Sequence, residues 1–198
     1  MSIMVTGGAG FIGRQIIRKL LERGEEVVCF DLNHPQINIH PFRGLMKFYK
    51  GDVSQLSQIL EAINLYKVHK VIHMAALLPP DTEEKPHYSM LVNIQGTNNV
   101  FEASRWTNVQ RVVYASSIAV YGTQETYGDR AVTEDDPSAP LNMYGMTKVA
   151  NEFSASRYTS LYGLDIRGIR ICTVFGHGRV TGMTGMIGGL LMSLPAVG

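Results

Sequence analysis

The sequence has few cysteines, no excess of either charge and no long apolar run, and each absence excludes a class of protein. With 18 Lys and Arg against 17 Asp and Glu and a net charge of +1, it lacks the basic surface that nucleic-acid-binding proteins need. No stretch is apolar for long enough to span a bilayer, so no membrane partner is expected. The 6 histidines show no HExxH or paired Cys/His spacing, so no metal site is expected either.

The 2 cysteines, Cys29 and Cys172, each lie inside an apolar run that reads as a strand. We therefore expect two buried free thiols and a reducing compartment rather than a disulfide framework. The sequence enters "IMVTGGAG" without the charged segment and cleavage site of a signal peptide, which favours a cytoplasmic protein. Its 198 residues, 45% hydrophobic and 18% charged, are enough for one globular domain with a sizeable core.

Short β-like runs alternate with segments of helical periodicity along the chain. Strands are predicted in "SIMVTG", "EVVCFD", "KFYKGD", "KVIHMAA", "RVVYASS" and "LDIRGIRIC". Helices are predicted over 11–23, after a cap at Ser54, from Pro86 through Phe101 and over 142–162, with loops at "LLPPDTEEKP" and 121–141. This alternation predicts an α/β fold with a Rossmann-type doubly wound parallel sheet, whose ligands bind at the carboxyl ends of the strands.

Three glycines in "TGGAGFIG", Gly7, Gly10 and Gly13, stand at three-residue spacing between the first strand and the first helix. In that position the first glycine permits a tight turn, the second lets a pyrophosphate approach the backbone, and the third lets the helix pack closely. The helix N-terminus then offers free N–H groups to the phosphates. We interpret the stretch as a dinucleotide-binding turn, and the alternative is a glycine-rich turn without a ligand.

Asp31 ends the second predicted strand, 18 residues after Gly13. A carboxylate at this place can accept hydrogen bonds from the adenosine ribose hydroxyls and would repel a 2′-phosphate. No arginine follows it in "DLNHPQ", so the sequence favours NAD over NADP. The alternative is an ordinary solvated aspartate at a strand end.

The stretch "MYGMTKVAN" places Tyr144 and Lys148 four residues apart, on one face of the last predicted helix. Taken alone, the pair is either an ordinary surface contact or a proton-transfer device. The other motifs of the chain are what separate these two interpretations.

Seven motifs follow one another in a familiar order. They are "TGGAGFIG", "FD" at 30–31, "GDV" at 51–53, "HMAA" at 73–76, "VNIQGT" at 92–97, "SSIAVYG" at 116–122 and YxxxK at 144–148. Together they resemble the extended short-chain dehydrogenases/reductases of the NAD-dependent epimerase/dehydratase family, which includes UDP-glucose 4-epimerase. The resemblance implies NAD as the cofactor and a catalytic set of Ser117, Tyr144 and Lys148.

In that family the tyrosine is the catalytic acid/base, the lysine tunes it and holds the nicotinamide ribose, and the serine binds the substrate hydroxyl. Ser117 holds the serine position, with Ser116 as a substitute. An ammonium about 4 Å from a phenol, at an effective dielectric of about 20, favours the phenolate by about 4 kcal/mol, or about three pKa units. We therefore expect Lys148, together with the positive charge of the oxidised nicotinamide, to bring the pKa of Tyr144 towards the working pH of a general base.

The resemblance also implies the cofactor-binding positions. They are Gly7, Gly10, Phe11, Ile12, Gly13, Asp31, Asp52, Val53, Ala75, Ala76, Asn93, Tyr144 and Lys148. Asp52 and Val53 are expected at the adenine, the two alanines along the dinucleotide, and Asn93 on the long helix near the site. Core packing is the alternative for Val53 and the alanines. His73 is expected to be a buried histidine with hydrogen-bond partners, and the alternative is a proton carrier.

The reaction class depends on the residues around this set. Dehydratases of the family carry an additional acid and base where this chain has Ile118 and Ala119, so dehydration is not expected. A sugar or nucleotide-sugar epimerase is favoured, acting through a keto intermediate. Thr173 and His177 replace the Asn and Pro of nucleotide-sugar epimerases, which keeps open a dehydrogenase of a small hydroxy compound, similar to L-threonine 3-dehydrogenases. A non-catalytic NAD-binding module is the third interpretation.

The resemblance further predicts the organisation of the chain. Residues 1–180 are expected to form the NAD-binding domain with the catalytic set, and 181–198 the start of an incomplete, truncated substrate-binding region. Members of the family pair through two long helices, here about 86–105 and 142–162, so a homodimer is expected. Phe153 and Tyr158 are the candidate contacts on the second of these helices.

Overall fold

The structure is a computed structural model, and it describes residues 2–35, 44–176 and 179. Its strands are β1 (Ser2–Thr6), β2 (Glu26–Asp31), β3 (Met46–Lys50), β4 (Val68–His73), β5 (Arg111–Ser117) and β6 (Ile166–Ile171). They form one sheet in the order β3-β2-β1-β4-β5-β6, and every neighbouring pair is parallel. The predicted Rossmann-type doubly wound sheet is confirmed, with its change of direction between β1 and β4.

Helices cover both faces of the sheet. They are α1 (Phe11–Glu22), α2 (Leu56–Leu65), α3 (Asp81–Glu84), α4 (Pro86–Ser89), α5 (Gly96–Trp106) and α6 (Met143–Tyr162). A π-helical segment (Met90–Gln95) joins α4 to α5, and two short 3-10 turns cover Ile118–Val120 and Gln124–Thr126. In the part of the chain that the structure describes, no helix combines the length and the apolar character needed to cross a membrane.

Alternation along the strands divides the core into two layers. On β1, Val5 packs in the layer beneath α1, with Ile17, Leu21 and Cys29. Its neighbour Met4 points to the opposite face, into the larger layer that α2, α5 and α6 cover and that includes Phe101. This period of two places apolar side chains on both faces of a parallel strand, which is why the central strands read as continuous hydrophobic runs.

The long helix predicted from Pro86 through Phe101 is interrupted by the π-helical segment and continues to Trp106. Within it, the Thr97 hydroxyl donates to the carbonyl of Asn93 at 2.6 Å. At the junction with α5, a Cβ on Gly96 would lie 2.8 Å from Val53, so the helix packs very closely on the segment after β3. Single π turns inside helices often occur at functional sites, and this one carries Asn93.

Three local predictions are wrong. Ser54 does not cap α2: its own N–H donates to Asp52 Oδ1, and α2 begins at Leu56 without a side-chain cap. The loop "LLPPDTEEKP" contains the short helix α3. Cys172 is exposed, because it follows β6 at the edge of the sheet, whereas Cys29 on the inner strand β2 is buried as expected. Burial of the thiol raises the pKa of Cys29 to about 12, and the negative charge of the nearby Asp31 adds to this rise.

Candidate active site

A cavity of about 980 Å³ opens at the carboxyl ends of the strands. Its walls come from the glycine turn after β1, the end of β2, the segment after β4, the end of β5 and the start of α6. Ligands of open α/β sheets bind in this crevice, outside the point where the strand order reverses. Every predicted site residue except Asn93 lines it.

The glycine turn is shaped by close backbone approaches. Gly7 has φ +65, and a Cβ there would lie 2.6 Å from the backbone nitrogen of Ala75. A Cβ on Gly13 would lie 2.2 Å from the Gly7 carbonyl oxygen, so α1 rests directly on the turn. Gly10 is the exposed N-cap of α1, whose first backbone N–H groups therefore face the cavity. Gly7 and Gly13 thus allow the tight turn and the close packing of α1, and the free N–H groups at the start of α1 fit a dinucleotide pyrophosphate.

Asp31 is held at the far end of the cavity by two backbone donors. Its Oδ2 accepts a hydrogen bond from Ala9 N at 3.0 Å, and its Oδ1 accepts one from Asn33 N at 3.0 Å. A carboxylate has about four lone-pair sites, so acceptor capacity remains for ribose hydroxyls. These two backbone donors therefore orient the carboxylate.

The neighbouring predicted positions divide between cavity wall and core. Asp52 and Val53 line the cavity beyond β3, but Val53 is also a buried member of the core. Ala75 and Ala76 line it after β4, and Ala75 N lies 3.4 Å from the Thr6 hydroxyl. Val53 therefore both packs in the core and lines the cavity.

Ser117, Tyr144 and Lys148 meet at the other end of the cavity. Ser117 ends β5, and its hydroxyl accepts a hydrogen bond from Ala119 N at 3.1 Å. Buried Lys148 donates from Nζ to the Ala115 carbonyl at 2.7 Å, and this Nζ lies 5.3 Å from the centre of the Tyr144 ring. The tertiary structure thus brings together the three residues that the resemblance singles out.

The position of Tyr144 follows from how α6 begins. The Asn142 side chain caps the helix by accepting a hydrogen bond from Gly145 N at 2.8 Å. A Cβ on Gly145 would lie 2.2 Å from the Ala119 carbonyl oxygen, so only glycine lets α6 rest on the Ile118–Val120 turn. That contact brings Tyr144 alongside Ser117.

The pKa values at this end differ from the expectation drawn from charge alone. Burial raises the pKa of Tyr144, and the hydrogen bond with Ser117 and the charge of Arg179 offset this only in part. Burial also lowers the pKa of Lys148 to about 8. Among the residues of the chain itself, desolvation of the phenol outweighs the charges near it, which opposes the expected drop in the pKa of Tyr144.

Asn93 holds the cavity wall rather than forming it. Its side-chain amide exchanges two hydrogen bonds with the backbone of Leu77, accepting from N at 2.8 Å and donating to O at 3.1 Å. It also donates to the Thr147 hydroxyl on α6 at 3.3 Å. Leu77 lines the cavity, so Asn93 positions the segment after β4 from its place near the site, and its role in cofactor binding stays a prediction.

His73 is a buried, hydrogen-bonded histidine, as predicted. Its Nδ1 lies 2.6 Å from the Thr6 hydroxyl and its Nε2 lies 3.0 Å from the Thr97 hydroxyl. Because Thr97 donates its proton to the Asn93 carbonyl, Nε2 must be the protonated nitrogen and Nδ1 the acceptor. Burial, and then the Lys148 charge, lower the pKa of His73 to about 3, so the ring is neutral.

The chain that carries this arrangement matches a known protein family. The model of the NAD dependent epimerase/dehydratase family matches residues 3–193. The chain belongs to this family. The resemblance seen in the sequence motifs is thereby confirmed, and the family is defined by its use of NAD.

Relatives in the family share most of this chain but are longer. A Methanocaldococcus jannaschii protein provisionally named UDP-glucose 4-epimerase is 35% identical over 177 residues, which are 88% of this chain and 56% of that protein. The UDP-glucose 4-epimerase of Lactobacillus helveticus is 30% identical over 179 residues, 85% of this chain and 52% of that protein. The chain thus spans about half the length of these relatives.

Solved structures of enzymes with two different activities superpose on this chain. The UDP-glucose 4-epimerase of Thermus thermophilus in complex with NAD has a TM-score of 0.80 at 28% identity, over 94% of this chain and 60% of that one. A monomeric L-threonine 3-dehydrogenase from a metagenome has a TM-score of 0.85 at 30% identity, over 95% of this chain and 59% of that one. The family fold therefore does not choose between the two activities.

The remaining predictions about family positions have mixed outcomes. Thr173 lines the cavity, whereas His177 lies outside the described residues, as does 181–198. Ser116, the substitute for Ser117, uses its hydroxyl in another contact: it donates a hydrogen bond to Glu152 Oε1 at 2.5 Å. Among the residues that the structure describes, no three His, Cys, Asp or Glu side chains gather as a metal site would need.

Sequence reasoning missed part of the wall at the catalytic end. Tyr88, Leu141 and Asn142 line the cavity there. Asn142 carried a usable signal, since an asparagine before a helix is a common N-cap. Tyr88 and Leu141 have no such signal in the sequence, because their exposure towards the cavity depends on how α4 and α6 pack.

Proposed function

We propose that the chain is the NAD-binding and catalytic part of a sugar or nucleotide-sugar epimerase. The observation that carries the proposal is the meeting of Ser117, Tyr144 and Lys148 at one end of a cavity whose other end holds Asp31. The names of the relatives, several of which are UDP-glucose 4-epimerases, support the same class of substrate. NAD rather than NADP is the proposed cofactor, because a 2′-phosphate would meet the oriented Asp31 carboxylate.

The proposed chemistry assigns each proton to an atom of this chain. The Ser117 hydroxyl hydrogen-bonds a substrate hydroxyl, and Tyr144 as phenolate takes that hydroxyl's proton while the carbinol carbon is oxidised to a ketone. Bound NAD⁺ supplies the acceptor for the hydride that leaves the same carbon. Tyr144 returns the proton to the oxygen when the hydride comes back on the opposite face, so no redox equivalent is consumed overall.

Lys148 supports the Tyr144 phenolate through its charge. With a pKa of about 8, it is mostly protonated at neutral pH. Its Nζ is anchored by the Ala115 carbonyl, so the charge stays beside the Tyr144 ring. The positive charge of the oxidised cofactor would act in the same direction and offset the desolvation that raises the pKa of Tyr144.

Dehydration is not proposed, because Ile118 and Ala119 line the cavity where a dehydratase would need a second acid and base. A dehydrogenase of a small hydroxy compound is the second candidate. It is favoured by the superposition on the L-threonine 3-dehydrogenase and by Thr173, which lines the cavity in place of the asparagine expected of nucleotide-sugar epimerases. Both reactions need the same three residues.

One pair of assays distinguishes the candidates. The purified protein, with the whole of the proposed substrate-binding region, is incubated with NAD⁺ and either UDP-glucose or L-threonine. An epimerase converts UDP-glucose to UDP-galactose without net NADH, whereas the dehydrogenase forms one NADH for each L-threonine oxidised. Tight binding of NADH with neither reaction, in a protein that carries the whole of the proposed substrate-binding region, would overturn both in favour of a non-catalytic NAD-binding module.

We further propose residues 1–180 as the NAD-binding and catalytic unit, 181–198 as the start of a substrate-binding region, and a homodimer through α5 and α6. Exposed apolar side chains on or beside these helices, among them Leu91, Trp106, Phe153 and Leu161, support the pairing. Tyr158 fits it less well, because it bonds Glu102 at 2.8 Å and packs 5.7 Å from the Phe101 ring within the chain.

A further inference from the structure

An ion pair lies directly behind the catalytic residues. Glu152 is on α6 one turn after Lys148, and Arg170 is on β6. Arg170 donates from Nε to Glu152 Oε1 at 3.0 Å and from Nη2 to Oε2 at 2.8 Å. The side chains are only 25% and 21% exposed. The pairing is therefore bidentate and largely shielded from water, the geometry in which an Arg–carboxylate pair is strongest and most directional.

The third arginine nitrogen reaches a different part of the chain. Arg170 Nη1 donates to the Tyr121 hydroxyl and to the Glu134 carbonyl, the latter at 3.0 Å. The guanidinium also lies 4.9 Å from the centre of the Tyr121 ring. The Tyr121 hydroxyl in turn donates to the Thr133 carbonyl at 2.9 Å. Arg170 thus joins α6 to both limbs of residues 121–141, which we call the wall segment.

Both ends of the wall segment form the catalytic end of the cavity. Tyr121 and Gly122 line it at the start of the segment, and Leu141 lines it at the end. The next residue, Asn142, caps α6, and Tyr144 lies in the first turn of that helix. The adenosine end of the cavity, around Asp31, is built from other elements.

We propose that the Glu152–Arg170 pair is a positioning unit that fixes the wall segment as the substrate side of the catalytic site. The reference to substrate rests on the proposed function. Arg170 does not itself line the cavity and reaches it through Tyr121, so it acts by positioning and not as a catalytic residue. Loss of the pair should release the wall segment and weaken substrate binding while leaving cofactor binding intact.

The competing interpretation is an ordinary ion pair that only stabilises α6 on β6. A matched control exists at the opposite end of β6. Arg111 at the start of β5 donates to Asp165, just before β6, at 2.6 Å, and neither residue lines the cavity. Arg111→Met therefore removes an ion pair next to the same strand, at the end of the sheet away from the site.

The first test needs no substrate. Arg130 is an exposed trypsin site within the wall segment, and its cleavage can be followed by mass spectrometry of the native protein. Arg170→Met should accelerate cleavage after Arg130 by at least about tenfold relative to wild type, while Arg111→Met should not. Cleavage at the wild-type rate in Arg170→Met would overturn the proposal. If that variant does not fold, Tyr121→Phe, which removes the hydroxyl between Arg170 and Thr133, gives the same test.

The second test separates substrate from cofactor. In Arg170→Met, KM for whichever of UDP-glucose or L-threonine the wild type uses should rise by about tenfold or more. The Kd for NADH and kcat should each stay within about threefold, and Arg170→Lys should recover part of the change. An equal loss of NADH affinity would overturn the proposal. Turnover of neither compound by the wild type would count against the proposed function alone, since the cleavage test still decides the role of the pair.

Discussion

The Lys148 ammonium lies 5.3 Å from the centre of the Tyr144 ring while donating a hydrogen bond to the Ala115 carbonyl at 2.7 Å. The carbonyl holds the charge on β5, beside the tyrosine but not bonded to its oxygen. Lys148 can therefore influence the tyrosine electrostatically without competing with a substrate for the phenolic oxygen.

Tyr144→Phe should slow turnover by about 100- to 10,000-fold, the usual contribution of a general acid or base. The ring and its packing remain, so the Kd for NADH should be nearly unchanged. Steady-state kinetics and a fluorescence titration with NADH measure the two effects. Near-normal turnover in this variant would exclude Tyr144 as the proton carrier and leave the tyrosine and Lys148 as a structural pair.

Lys148 should make the stability of the protein depend on alkaline pH. Its pKa falls from an ordinary 10.5 to about 8 on folding, so the unfolded chain binds more protons between these values. Stability should therefore rise with pH across this window, by up to about 3 kcal/mol. Denaturant unfolding of wild type and Lys148→Met tests this, since the slope should be absent from the variant. Equal slopes in both proteins would show that Lys148 is not the cause.

His73 should contribute to acid unfolding. Its pKa is lowered from 6.5 to about 3 by burial, so the folded protein keeps it neutral while the unfolded chain takes up a proton. Its contribution to stability is fully present above pH 6.5 and is lost as the pH falls towards 3. His73→Gln should flatten the decline in the denaturation midpoint over this range, with His69→Gln, on the same strand, as the control. An unchanged decline would argue against the buried neutral ring.

Asp31 should determine the preference between the two cofactors. Wild type should bind NADH at least about tenfold more tightly than NADPH, because the oriented carboxylate repels a 2′-phosphate. Asp31→Ser should bring the two Kd values together, mainly because the variant binds NADH more weakly and no longer repels NADPH. Equal affinities in the wild type would refute the assignment of Asp31 to the ribose.

A homodimer through α5 and α6 should depend on Phe153, whose side chain is 69% exposed on α6. A charge placed there should dissociate the dimer, because a buried unpaired charge is costly at an interface. Light scattering of Phe153→Asp should report a monomer, while Leu65→Asp, on α2 and 60% exposed, should remain dimeric. A monomeric wild type, the state named for one structural neighbour, would contradict the dimer itself.

The sequence by itself determined the order of the elements, the sheet type and several parts of the cavity wall. These depend on local chemistry: alternation along strands, the spacing of Gly7, Gly10 and Gly13, the acid at the end of β2, and the four-residue step from Tyr144 to Lys148. Such signals involve neighbours in the chain, so they can be read without knowing the packing. The family motifs added Ser117 and the roles of the catalytic set.

Only the tertiary structure decided what those residues contact. Asn93 bonds to Leu77 and Thr147, and Arg170 joins Glu152 to Tyr121, across separations that no local pattern encodes. Burial likewise opposed the expected shift in the pKa of Tyr144, and the edge position of β6 exposed Cys172. Desolvation and long-range hydrogen bonds arise only when the sheet order brings distant segments together, and that order is a property of the whole fold.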